Sequence, residues 1–248
     1  IPISELYDIS DRENTDRTRS ISEKFQRNAT SNEVDKERIT EAVKVVDKLQ
    51  QLTKKNQFDA ISVECFSLVL ETDITACYAL SYLNDQGFVA GCEGDIPSAF
   101  TMLLLKLLTN QPTFMANVTS VNTVKNTVTL AHCTVALRLL DEYSITTHFE
   151  TEKSVAIRGR FKTPQDVTIL KVGGKKLSNW WITKGTILKN SNIPLTCRTQ
   201  IDIAIEKPVS YFLEQSLANH HILVLGDHTK TVLQFFDFFS LLQKIYAI

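Results

Sequence analysis

Residues 88–121 read FVAGCEGDIPSAFTMLLLKLLTNQPTFMANVTSV, and the fold turns on how this stretch is parsed. Phe88–Cys92 is a short apolar run ended by a Gly-containing turn, which predicts a buried strand. Ser98–Leu108 has the length and apolar density of a core helix, and Pro97 stands in its first turn. Thr113–Val121 predicts a further strand, and Thr127–His132 another. Strands and helices alternating in near-continuous apolar runs indicate a mostly parallel sheet flanked by helices.

Upstream of this stretch, Phe58–Val63 predicts a strand and Thr75–Asn84 a helix that stops near Gly87. Ile39, Ala42, Val43, Val46, Leu49 and Leu52 fall at helical spacing, so a helix should begin near Val34, after a looser segment that includes Asp11 to Thr18. Past Leu140 the pattern changes. Val155–Phe161, Val167–Val172, Trp181–Lys189, Thr199–Glu206 and Ile222–Leu225 read as short strands between turn residues, with a hairpin signal at Gly173–Gly174 and an amphipathic helix at Thr229–Tyr246. The expected class is α/β plus β. An α/β domain with a parallel sheet over residues 1–140 carries the CEGD segment, and a β-barrel-like domain with a C-terminal helix covers residues 141–248.

The composition narrows the function. The 248 residues carry 27 basic and 28 acidic side chains, a net charge of -1, which speaks against a nucleic-acid binder. Hydrophobic residues make up 43% of the chain, enough for a real core, yet no apolar run reaches the roughly 20 residues of a membrane helix. The five cysteines form no CxxC pair, so buried free thiols in a reducing, cytoplasmic compartment are expected. The chain opens at Ile1 with no leader-like pattern and reads as part of a longer protein.

Three places carry chemistry. Glu93 and Asp95 lie at the carboxyl end of a strand, where α/β folds bind ligands, and Gly94 lets backbone approach closely. Asp95 reads equally well as the N-cap of the next helix. A carboxylate at Glu93, directly after VAGC, needs a partner. The histidines (His132, His148, His220, His221 and His228) all fall in the second half, His132 ending one apolar run and His220–His221 preceding another. Each reads as either a bonded core residue or a ligand, and imidazole with carboxylate suits divalent ions from manganese to zinc. Arg198 offers a donor fork to an anionic or hydroxyl-rich ligand, or to a neighbouring strand. Trp180 and Trp181 read as structural, with alternation sending one inward and one outward.

The segments CEGDIPSAFTMLLLKLLTNQPTFMANV (92–118), TLAHCTVAL (129–137) and ANHHILVLGD (218–227) together resemble the L-fucose and L-arabinose isomerase superfamily. The resemblance runs over roughly residues 58–248, the middle and C-terminal domains of such enzymes, and is nearest to fucose isomerase-like proteins. It implies a manganese-type ion, most often Mn2+, held by acidic side chains and histidine, and aldose–ketose interconversion through an enediol. By position it implies Glu93 as first acidic ligand and base; Asp95, two residues on, is a catalytic candidate as a stand-in for the family's second carboxylate. The other ligand positions fall at Asn117, His132, and His220 or His221; Arg198 and His148 are candidate substrate contacts apart from the resemblance. It also implies a sugar substrate and a homo-oligomer, trimer or hexamer. Asn117 departs from the pattern: an amide can coordinate a cation but cannot take up and return a proton at neutral pH. The alternative is a carbohydrate-binding relative that keeps the pocket without the chemistry, and a third reading takes the same residues as core and caps.

Overall fold

The computed structural model of the chain describes residues 1–9, 13–174 and 178–246. In chain order the elements are α1 (Asp16–Asn28), β1 (Ser31–Asn32), α2 (Lys36–Asn56), β2 (Ala60–Val63), α3 (Cys65–Thr72), α4 (Cys77–Asp85), β3 (Val89–Cys92) and α5 (Ile96–Thr109). Then follow β4 (Phe114–Asn122), β5 (Thr127–His132), β6 (Glu142–Thr146), β7 (Ala156–Arg160), β8 (Gln165–Gly173), β9 (Asn179–Asn190), β10 (Thr199–Ile205), α6 (Tyr211–Glu214), β11 (His220–Leu225) and α7 (Thr229–Tyr246).

A mixed helix-and-sheet part precedes a closed six-stranded antiparallel barrel whose strand order is β10-β5-β4-β11-β8-β9. Of the strands expected in one parallel sheet over residues 58–132, β2 and β3 pair in parallel from Ala60↔Val89 to Val63↔Cys92. The strands expected at 113–121 and 127–132 are antiparallel members of the barrel instead, paired with each other from Asn117↔Ala131 to Asn122↔Thr127. Loop length is the physical reason. Only residues 123–126 connect them, and a parallel crossover needs a dozen residues or more. The barrel therefore draws strands from both sides of residue 140.

The segment expected as a barrel strand at Val155–Phe161 lies outside the barrel. There β7 pairs with β6, and β6 with β1, in a separate three-stranded sheet. The looser N-terminal segment expected through Thr18 becomes helical at Asp16, because Thr15 caps α1 by accepting from the Thr18 amide; its residues 11 and 12 lie outside the described residues. α2 follows the predicted face, with Ile39, Ala42, Val43, Val46 and Leu49 all buried. The hairpin signal joins β8 to β9, which pair as far as Gly173↔Asn179, while residues 175–177 lie outside the described ones. Gly174 sits at φ +77, where an added Cβ would meet the Asn179 side chain at 2.8 Å.

One continuous apolar core runs from α2 and α4 through β3 and α5 into the barrel. Phe114, Met115, Leu130, Ile169, Ile201, Ile222 and Leu223 fill it at 1% exposure or less. The five cysteines are free thiols, four of them buried and Cys65 half-buried. Among the described residues no helix is long and apolar enough to cross a membrane.

Candidate metal centre

The site begins with a turn. β3 ends at Cys92, and Glu93 and Gly94 follow at φ +60 and +66. The Asp95 amide then donates back to the Cys92 carbonyl at 3.2 Å. Glycine adopts this left-handed conformation without cost. Glutamate does so at a penalty of about 1 kcal/mol or more, which the surrounding structure must offset. The turn holds the Glu93 side chain at the mouth of the barrel, one-third exposed, against two buried imidazoles.

Those imidazoles come from opposite ends of the second half of the chain. His132 is the last residue of β5, and His220 the first of β11. Their rings lie 5.5 Å apart between centroids. Glu93 Oε1 stands 3.6 Å from His132 Nε2, and Oε2 stands 3.4 Å from His220 Nε2. One donor atom from each of the three residues falls within 4.8 Å of the others. Both Nε2 atoms are buried and have no hydrogen-bond partner.

Asp95 explains why His220 is presented in this way. Its Oδ1 caps α5 by accepting from the Ser98 amide at 2.9 Å. Its Oδ2 accepts from the Ser98 hydroxyl at 2.6 Å and contacts His220 Nδ1 at 3.0 Å. Burial opposes ionisation of Asp95, but its bonds from His220 and Ser98 and the charge of Lys171 outweigh that and hold its carboxyl well below the usual range. An ionised carboxylate only accepts, so His220 Nδ1 must be the donor, and in the neutral ring Nε2 then carries a lone pair. That lone pair faces the Glu93 carboxylate. Two acceptors cannot stay in contact without a proton or a cation between them. Around a cation bound at about 2.1 Å, donor atoms sit roughly 3–3.5 Å apart; the two contacts to Glu93 lie at 3.4 and 3.6 Å and the three donors within 4.8 Å of one another, and two imidazoles with a carboxylate suit a borderline divalent ion. The residues present fit such an ion.

The two carboxylates favour positive charge at this point, whether a proton on His220 or a bound cation. The imidazoles of His132 and His220 hold the Glu93 carboxyl far below its ordinary range against the opposing effect of burial. Burial works against a charge on His220, but Asp95 and Glu93 overcome it and raise its pKa. His132 Nδ1 bonds the Thr134 hydroxyl at 2.9 Å, which fixes its ring. Metal-bound histidines are anchored through their second nitrogen in the same way.

The remaining predicted residues are placed around this cluster and not within it. Asn117 pairs directly with His220 across the β4–β11 ladder, and its amide oxygen accepts from Asn219. His221 is fully buried on the other face of β11, where its Nε2 meets the Tyr211 hydroxyl at 3.1 Å and its ring packs edge-on against Trp181, Tyr211 and Phe212. The doublet thus resolves, with His220 in the cluster and His221 among the aromatics. Arg198 lies one residue before the Thr199↔His132 pair and donates to the Thr147 carbonyl at 2.9 Å. His148 sits in the loop after β6, with Nδ1 on Thr151 at 3.2 Å and its ring edge-on to Phe66. Trp180 stacks on Phe236 and is partly exposed, whereas Trp181 turns inward against Tyr211.

Lys171 went unread in the sequence. It is 1% exposed on β8, donates to the Ser98 hydroxyl at 2.6 Å and stands 3.6 Å from Asp95 Oδ2. Burial lowers its pKa, and Asp95 opposes that shift. The signal was there: a single charge in the otherwise uncharged run Val167–Gly173.

No family model matches the chain. Two curated proteins are similar to it. Over 84 residues it is 32% identical to the sulfoquinovose isomerase of Clostridium sp. (strain MSTE9), covering 34% of this chain and 19% of that protein. Over 208 residues it is 23% identical to the sulfoquinovose isomerase of Alkalicoccus urumqiensis, covering 78% of this chain and 45% of that protein. The aligned part is less than half the length of either relative.

Proposed function

We propose that this chain carries the cation-binding portion of a sugar aldose–ketose isomerase. Glu93, His132 and His220 would hold a divalent ion of the manganese class. The observation that carries the reading is the pair of buried, unpartnered Nε2 atoms converging on one carboxylate. The similarity to two sulfoquinovose isomerases supports a polyhydroxylated, anionic sugar as substrate. A bound divalent ion would polarise neighbouring sugar oxygens and so acidify the intervening C–H.

The chain's own groups divide the work. Glu93, ionised and partly open to solvent, is the carboxylate positioned to move a proton at the sugar. Asp95 is occupied by His220, Ser98 and Lys171, so its part is to orient His220. Arg198, at the same barrel end as His132, is the candidate contact for an anionic or hydroxyl group of the substrate. The proposal includes a cytoplasmic, homo-oligomeric enzyme.

Asn117 favours a second reading, a relative that binds sugar without turning it over. The amide opposite His220 is engaged with Asn219 and cannot exchange protons. One experiment separates the two. The protein is loaded with Mn2+, its metal content is measured by elemental analysis, and it is incubated with aldoses that include a sulfonated hexose. Ketose product that disappears in Glu93→Gln supports the isomerase. Saturable sugar binding without product supports the second reading. Protein that retains no cation and binds no sugar overturns both.

A further inference from the structure

A second polar pocket, of about 220 Å³, lies on β6 and β7, strands that contribute nothing to the Glu93 cluster. Its walls include Thr30, Ser144, Arg158, Arg160 and Asn190. The two arginines differ. Arg160 is neutralised by Glu142 at 3.0 Å. Arg158 is half-buried, its Nε is fully buried with no hydrogen-bond partner, and among the described residues no carboxylate pairs with its guanidinium. With two arginines and one glutamate, Glu142, in its lining, the pocket carries one uncompensated positive charge.

A partly buried guanidinium without a partner is costly, and an anion relieves that cost. Ser144 stands directly across the ladder from Arg158, and its hydroxyl lies 3.1 Å from that of Thr30, so both hydroxyls border the same pocket. Asn190 ties its amide to the Phe161 backbone in both directions, which holds the wall rigid. We propose that this pocket binds a small tetrahedral oxyanion (phosphate, sulfate or the sulfonate head of an organic molecule), with Arg158 as the bidentate donor and Ser144 beside it. The site is independent of the metal centre and of the isomerase reading.

The test uses the whole chain with inorganic phosphate, inorganic sulfate and methanesulfonate, each at matched ionic strength. Thermal stability is followed together with the Arg158 Nε–H resonance. The expected result is a saturable shift of that resonance in the unmodified protein, together with a thermal stabilisation whose apparent affinity is at least about tenfold weaker in Arg158→Met and little changed in Arg160→Met. Tighter binding of methanesulfonate than of the inorganic ions assigns the site to an organic sulfonate, and tighter binding of phosphate assigns it to a phosphate. An Nε–H resonance that none of the three moves overturns the proposal, and so does an equal thermal stabilisation of the unmodified protein and Arg158→Met. Because the resonance is read in the unmodified protein, the proposal remains testable even if a variant fails to fold.

Discussion

His220 and His221 are neighbours on one strand and occupy opposite environments. His220 faces Glu93 and Asp95 with one nitrogen unsatisfied and its pKa raised. His221 faces Trp181, Tyr211 and Phe212, has both nitrogens bonded, and is pushed down to about 4 by burial. Strand alternation alone separates them. The contrast teaches that an imidazole is a ligand or a piece of core according to what its second nitrogen meets.

The comparison can be broken most forcefully at the cation. Replacing Glu93 with Gln or His220 with Ala should weaken Mn2+ binding by more than about 100-fold, beyond what loss of a supporting residue costs, as read by metal titration. The same change at His221 should leave cation binding nearly intact. If His221→Ala loses the cation and His220→Ala keeps it, the assignment of the two faces is reversed.

The next effect is on stability against pH. His221 takes up a proton in the unfolded chain below pH 6.5, but in the folded protein only near pH 4. The unfolded state therefore binds more protons in that window, and stability falls as pH drops through it. The 2.5-unit difference corresponds to about 3 kcal/mol at full extent. Denaturant melts from pH 7 to 4 should show this slope, and His221→Gln should flatten it. His220 works in the opposite sense: its raised pKa contributes stability that is present below pH 6.5 and lost above it.

Smaller effects sharpen the same contrast. Asp95→Asn and Lys171→Met should each weaken Mn2+ binding by about 10–100-fold while leaving Glu93 in place, because the first replaces the charged acceptor of His220 Nδ1 with a neutral amide and the second removes the cation beside Asp95 that favours its ionised form. On the aromatic face, Tyr211→Phe removes the hydroxyl shared by His221 Nε2 and the Leu217 amide. That change should cost about 1 kcal/mol of stability and leave cation binding unaltered.

Much of this was legible in the chain. The helix after CEGD and its cap at Asp95 follow from strand-end positions and spacing, whereas the grouping of Glu93, His132 and a late histidine rests on the resemblance to the fucose and arabinose isomerases. Asp95 had been read as either a cap or a site residue, and its two oxygens let it act as both. The architecture around it was harder to see. FMANV and TVTLAH are as apolar as parallel strands, and only the four-residue span between them reveals an antiparallel hairpin. Which half of the histidine doublet faces the site depends on register, which no local pattern sets. Lys171 left a trace as a lone charge in a buried run, but Arg158 sits in AIRGR, where nothing marks its guanidinium as unpaired.

The barrel's strand order has a consequence for how the protein is made. β11 is the last barrel strand to leave the ribosome, yet its place is between β4 and β8, both already synthesised. Until Leu225 has emerged, those two strands present open edges, and such edges invite pairing with other chains. The same late insertion delivers His220, so a nascent chain brings Glu93, His132 and His220 together only when the barrel closes. Completion of the three-residue cluster and sealing of the sheet thus become one event, and a chain stalled before β11 lacks His220 and presents open strand edges.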